Sequence, residues 1–160
     1  MNKTTQPKKG MRSRTPWKVK MLKPAEPQFV EMPGIWAKKM GNGPLLIPTP
    51  KRIAEVVNGI HEGDVLTLEQ LRRILADEHD AAHSCPMTTG IFLRFVAEAT
   101  EEQWKEGGAT LAPYWRVVQN DYKLNPKFPG GPEVQAQRLE SEGWKINRSK
   151  APHLWKIILP

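Results

Sequence analysis

Two stretches near the C-terminal end decide the fold: PYWRVV, Pro113 to Val118, and FPGGPEVQAQRLESEGW, Phe128 to Trp144. In the first, β-branched Val117 and Val118 follow aromatic Tyr114 and Trp115, and a proline opens the run where no ladder hydrogen bond is needed. This composition predicts a buried strand. In the second, Gly130-Gly131 marks a place where the backbone turns sharply or comes close to another group. Val134, Arg138 and Leu139 then predict a helix that ends at Gly143. Strand, glycine loop and helix form one unit.

Upstream, Ile53, Val56, Val57 and Ile60 recur on one face of a helix over residues 51–60. Gly63-Asp64 turns the chain. Thr67 and Gln70 form a capping box for a second helix, whose buried stripe is Leu68, Leu71, Ile74 and Leu75 and which runs to about His79. A third helix opens with Ser84 as N-cap and Pro86 in its first turn, and continues through Ile91, Phe92, Phe95 and Val96 to about Thr100. Two helices across a short turn are a helix-turn-helix pattern. After the central unit, the apolar runs of residues 144–146 and 154–158 flank a polar turn and predict a β-hairpin, a candidate wing. The expected class is α+β, mainly helical: a winged helix-turn-helix with a short hairpin.

A chain of 160 residues suits one domain that buries roughly two-thirds of its unfolded surface. Its formal charge of +7 is uneven. Residues 1–23 hold Lys3, Lys8, Lys9, Arg12, Arg14, Lys18, Lys20 and Lys23 and no acid, so the excess positive charge belongs to the N-terminal segment. With Pro7, Pro16, Pro24, Pro27 and Pro33, residues 1–34 read as a flexible basic arm attached to a domain of residues 35–160. A sharper reading makes it an arm that wraps DNA or a partner, anchored by Trp17, Phe29 and Trp36. One cysteine excludes an internal disulfide framework, and no apolar run reaches the roughly 18 residues of a membrane span. The expectation is a cytoplasmic monomer without membrane contact, lying on the nucleoid in a bacterium.

The order of strand, glycine pair and helix resembles the active-site half of the DNA repair alkyltransferases, the methylguanine-DNA methyltransferase family. That family carries P-C-H-R-V-V, a loop ending in Gly-Gly, and a helix of the form L-x-x-E-G. Pro113, Arg116, Val117, Val118, Gly130, Gly131, Leu139, Glu142 and Gly143 stand at matching places. Tyr114 occupies the position of the nucleophilic cysteine and Trp115 that of the activating histidine. Alkyltransferase-like proteins, a branch of the family that binds alkylated DNA without repairing it, have also lost the cysteine but normally retain the histidine. More loosely, Val65 and Thr67 match V-x-T-Y-G before the helix pair, and Gly90 and Arg94 match A-V-G-x-A-x-R. The family's intercalating arginine then falls at about Met87. The resemblance covers roughly residues 50–145.

It implies a DNA-binding protein without methyltransferase chemistry, engaging duplex DNA, damaged or with an extruded base, and a repair-protein partner. Trp115 has only an indole N–H and accepts no proton, and a phenol such as Tyr114 is almost wholly protonated at neutral pH. Pro129 stands where the family donates a backbone N–H to the guanine oxygen, and proline has none. The implied base pocket is Tyr114, Trp115, Arg116, Phe128, Pro129 and Gly130, with the rings stacking on a base or simply filling a lost site. Thr88, Thr89, Gly90 and Arg94 on the third helix are the implied groove and phosphate contacts. An enzymatic alternative rests on Glu142 or on Cys85, a thiol at a helix N-terminus near His83. Another is an adaptor acting through the arm. Glu101, Glu102 and Glu106 read as a solvated face. His79, Asp80 and His83 are too few for a metal site, and neither metal nor cofactor is expected.

Overall fold

The computed structural model describes residues 12–160, so the first eleven residues of the basic segment lie outside the description. The described chain opens with α1, Trp17–Leu22, which buries Trp17 and Met21, one turn apart on the same face. Strand β1, Gln28–Glu31, follows, then α2, Gly34–Met40, and β2, Pro44–Ile47. Helix α3, Pro50–Asn58, starts on Thr49, whose hydroxyl accepts the Arg52 N–H, with Pro50 in the first turn where its missing N–H is no loss. Strand β3 is Leu66–Thr67 and α4 is Leu68–Asp77. The Thr67–Gln70 capping box forms as expected, with Gln70 N–H to Thr67 Oγ1 at 3.2 Å and Thr67 N–H to Gln70 Oε1 at 2.8 Å.

After β4, His83–Ser84, comes α5, Pro86–Lys105, against which α1 and α3 pack. Its N-cap is Cys85 rather than the expected Ser84, because the Ser84 hydroxyl is buried in a 2.9 Å bond with Thr89. Helix α5 also outruns the expected end at Thr100. Two of the acids expected on a solvated face hold its last turns to other elements, Glu101 to Tyr114 and Arg138 and Glu102 to the backbone of α1, while Glu106 is exposed as expected and pairs with Lys18. Glu102 Oε2 and Oε1 accept the Trp17 and Lys18 N–H groups at 2.9 and 3.1 Å, capping a helix whose own N-cap, Pro16, offers no side-chain acceptor. Thus α1, within the presumed arm, enters the core through Trp17 and Met21, while β1 and its Phe29 stay exposed. Trp17 is 8% exposed, with its ring 5.0 Å from that of Phe95.

Strand β5 is Val117–Val118, α6 is Gly131–Ser141, and β6, Lys145–Asn147, pairs antiparallel with β7, Lys156–Ile158. This pair is the expected hairpin. Strands β1, β2 and β4 form one small sheet, antiparallel then parallel, while β3 and β5 pair in parallel. The core gathers much of the predicted apolar faces, Ile53 and Val57 from α3, Leu71 and Leu75 from α4 and Val96 from α5, joined by Leu93, whereas Ile74 and Ile91 are exposed. The class is α+β with most regular structure helical. Among the described residues, no helix is long and apolar enough to cross a membrane.

Candidate functional site

The run 113–118 is a strand only at its end. Tyr114–Arg116 forms a turn of 3-10 helix, and Val117–Val118 alone joins a ladder. Sequence reasoning missed the cause, Gln135. Its side chain is 1% exposed, and its Nε2 donates to the Trp115 and Val117 carbonyls, both at 3.0 Å. Its Oε1 accepts the Asn125 N–H at 2.7 Å. A side-chain amide on α6 therefore satisfies backbone groups that the expected strand would have paired with a neighbour. Helix α6 itself begins at Gly131, a turn earlier than its apolar pattern suggests, because Gly130 adopts a left-handed conformation (φ 76°) as its N-cap. At the other end Gly143 (φ 96°) closes the helix as anticipated. Its N–H reaches the Glu140 carbonyl, and the Trp144 N–H reaches that of Leu139.

That ending sets Glu142, the last residue before the glycine, against the 3-10 turn. Arg116 donates from Nε to both carboxylate oxygens, at 3.1 and 3.0 Å, and from Nη2 to Oε1 at 2.8 Å. The Trp115 indole N–H donates to Oε1, also at 2.8 Å. Nη1 of Arg116 donates to the Ile60 carbonyl at 2.6 Å, tying in the segment that follows α3. Burial pushes the Glu142 carboxyl up, but the donors from Arg116 and Trp115 outweigh it and hold the group below the ordinary carboxylate range. Glu142 is thus an occupied anion that clamps three segments.

A second buried cluster surrounds Tyr114, which is 1% exposed. Its hydroxyl donates to Glu101 Oε1 at 2.6 Å, and Arg138 Nη1 donates to that carboxylate oxygen and to the phenol oxygen, both at 2.5 Å. Burial and the bond to Glu101 push the phenol pKa up, against the pull of Arg138, so the proton stays on oxygen. The Arg138 guanidinium lies over the rings of Trp104, Trp115 and Tyr114 at 4.4, 5.1 and 5.4 Å. Phe128 packs edge-on against Tyr114 at 5.0 Å. The structure therefore brings Tyr114, Trp115 and Phe128 together, as expected for a base pocket, but their rings fill the space themselves.

The open space lies beside α5. A cleft of about 610 Å³ runs between its first turns and the loop after β5. Met87, Gly90, Ile91 and Arg94 line the helix side, and Asn120, Asn125 and Lys127 the loop side. Of the four expected contacts, Gly90 and Arg94 face this cleft. Thr89 turns inward to Ser84, and the Thr88 hydroxyl is buried without a partner among the described residues. Met87 and Ile91 were not anticipated as contacts, yet they are 61% and 40% exposed. Gly90 gives a signal that the sequence alone leaves ambiguous. A Cβ built there meets nothing within 4 Å, so no packing among the described residues requires a glycine at this place in the helix. Lys123 pairs with Asp121 and holds its carboxyl low, and Arg94 and Lys127 are the basic residues of the lining.

The enzymatic candidates stand apart from this cleft. Cys85 is 6% exposed, its thiol set in the core beneath the start of α5. His83 directs Nε2 to the Met40 carbonyl at 2.7 Å, and His79 directs Nδ1 to that of Leu75 at 3.1 Å. Comparison with family models, with curated proteins and with solved structures found no match to this chain.

Proposed function

We propose that this protein is a non-enzymatic DNA-binding module of the alkyltransferase-like type, in which α4 and α5 act as a helix-turn-helix and α5 enters the minor groove. In this reading the β6–β7 hairpin takes the place of the wing. The observation that carries it is the exposed stripe of α5. Met87 and Ile91 stand one turn apart on either side of Gly90, with Arg94 on the following turn. A glycine inside a helix costs about 1 kcal/mol relative to alanine, and no contact among the described residues returns that cost. A second molecule approaching the helix backbone closely would. Apolar wedges such as methionine enter between base steps in minor-groove binding, and Met87 projects where the resemblance puts an intercalating arginine.

The cleft volume of about 610 Å³ is also that of an organic-ligand site, large enough for an extruded nucleoside. Asn120 and Asn125 line it with carboxamides whose oxygens already accept the Glu69 and Lys127 N–H groups, leaving their amino groups as donors. A base would therefore sit beside Met87 and Ile91, outside the packed rings of Tyr114 and Trp115. Recognition of this kind reads groove shape and damage more than sequence.

Gly90→Leu tests it. Leucine is a better helix former than glycine and has open space to occupy, so the variant should unfold at equal or higher urea concentration than wild type. Its affinity for duplex DNA at low salt should fall at least tenfold, because the close approach is blocked. Absence of duplex binding by the wild-type chain at low salt, or full binding by the leucine variant, rejects the reading.

A further inference from the structure

Away from the cleft, a smaller cavity of about 260 Å³ lies between α2, α4 and β4, with Lys39, Arg72, Arg73 and His83 in its wall. Glu69 is the acid that shares that wall. Arg72 is half-buried and spends its donors on neutral groups: Nε on the Ser84 carbonyl at 3.0 Å and Nη2 on the Met40 sulfur at 3.6 Å. Its Nη1 has no partner among the described residues. Burial pulls its pKa down, and the nearby Glu69 charge offsets this only in part. A guanidinium withdrawn from water normally takes a carboxylate or phosphate partner, as Arg116 and Arg138 do here with Glu142 and Glu101. Arg73 adds a second guanidinium, bonded to the Ala82 carbonyl at 3.3 Å and to exposed Asp77 at 3.2 Å. Lys39 is exposed, with its ammonium available.

Geometry connects this cavity to the cleft. A depression lined by Glu69, Arg73 and Asn120 shares Asn120 with the cleft and Glu69 and Arg73 with the cavity. A trough thus runs across the start of α4, and His83 and Ser84 lead directly into α5. We infer that Lys39, Arg72 and Arg73 form an anion site for one phosphate group of a nucleic-acid backbone whose duplex occupies the α5 cleft, an inference that rests on the DNA-binding reading. The cavity is smaller than the roughly 300 Å³ at which organic-ligand pockets begin, which suits a phosphate group held alone. A bidentate guanidinium contact fits a phosphodiester, and the site would set the register of the duplex without reading bases.

The test compares the full-length chain with a Lys39→Gln/Arg73→Gln variant, leaving Arg72 in place because it also holds the Ser84 carbonyl. Duplex affinity is measured by fluorescence anisotropy across a salt series. Losing one phosphate contact should make the slope of log K against log salt shallower by about 0.9, and should weaken binding equally for unrelated sequences. A charge-preserving Lys39→Arg/Arg73→Lys variant should retain the wild-type slope. Duplex binding with an unchanged slope in the glutamine variant overturns the site while leaving the DNA reading intact. If the wild-type chain binds no duplex, that reading fails by itself, and a titration with inorganic phosphate at constant ionic strength decides the site. A saturable shift of the Arg72 Nε–H resonance, lost in the glutamine variant, supports an anion site; a flat titration overturns it. Saturation by inorganic phosphate together with an unchanged duplex slope overturns the backbone assignment.

Discussion

Glu142→Gln isolates the clamp that joins the 3-10 turn, the end of α6 and the segment after α3. The side chains of Arg116 and Glu142 are 14% and 7% exposed, so solvent screens the pair little. Glutamine keeps the shape but removes the charge and turns an amino group toward a guanidinium that has only donors. Breaking a buried pair by deleting one charge costs about 3–5 kcal/mol. In a domain of this size that corresponds to a fall in Tm of about 6–20 °C. Thermal and urea unfolding at neutral pH measure it.

Replacing both partners, with Arg116→Met and Glu142→Leu, removes the uncompensated charge and should recover part of the loss. It leaves the Trp115 indole N–H unpartnered at a cost of about 1–3 kcal/mol, so the order should be wild type, double variant, Glu142→Gln. The pH dependence has a definite sign. The folded Glu142 pKa is depressed, so its contribution is fully present above the unfolded carboxylate value of 4.5 and is lost as pH falls through the lower folded value. The gap between wild type and Glu142→Gln should therefore close in acid. A Glu142→Gln protein within about 1 kcal/mol of wild type at neutral pH would refute the reasoning, because that is the range of an exposed pair.

Gly130→Ala should cost more than Gly131→Ala. Both have positive φ, with about 1–2 kcal/mol of strain for a side chain, but only at Gly130 would the new Cβ meet Val134, at 2.3 Å from Cγ2. Urea midpoints compare the two, and equal costs would mean that α6 shifts to relieve the contact. Trp17→Ala should destabilise by about 3–5 kcal/mol, as for a core aromatic, and a change below 1 kcal/mol would show that α1 is not part of the cooperative unit. Tyr114→Phe should cost about 1–2 kcal/mol by removing the hydroxyl shared by Glu101 and Arg138 while the ion pair survives, and a stabilised variant in the same unfolding assay would contradict that.

Local chemistry made much of the architecture legible before any coordinates. The spacing of Ile53 and Val57, and of Leu71 and Leu75, fixes which helix face goes inside. Thr67 with Gln70, and Gly143 after Leu139, set helix ends because capping satisfies backbone groups within four or five residues. The run PYWRVV placed its residues in the core, since aromatic and β-branched side chains leave water wherever the chain can bury them.

What those side chains meet was settled only by the tertiary structure. Gln135 reads as a surface polar residue on a helix until its amide is found on two backbone carbonyls of a segment about twenty positions earlier. Glu101 and Glu102 read as a solvated face until the first meets Tyr114 and Arg138 and the second caps a helix 84 and 85 residues away. The rings of Tyr114 and Trp115 could have lined a pocket or filled one, and the cleft proved to lie beside Met87 and Ile91 instead. A periodic pattern specifies the side of an element that must leave water. It carries no record of which distant group will supply the opposing hydrogen bond, charge or empty space, because that depends on how all the elements pack together.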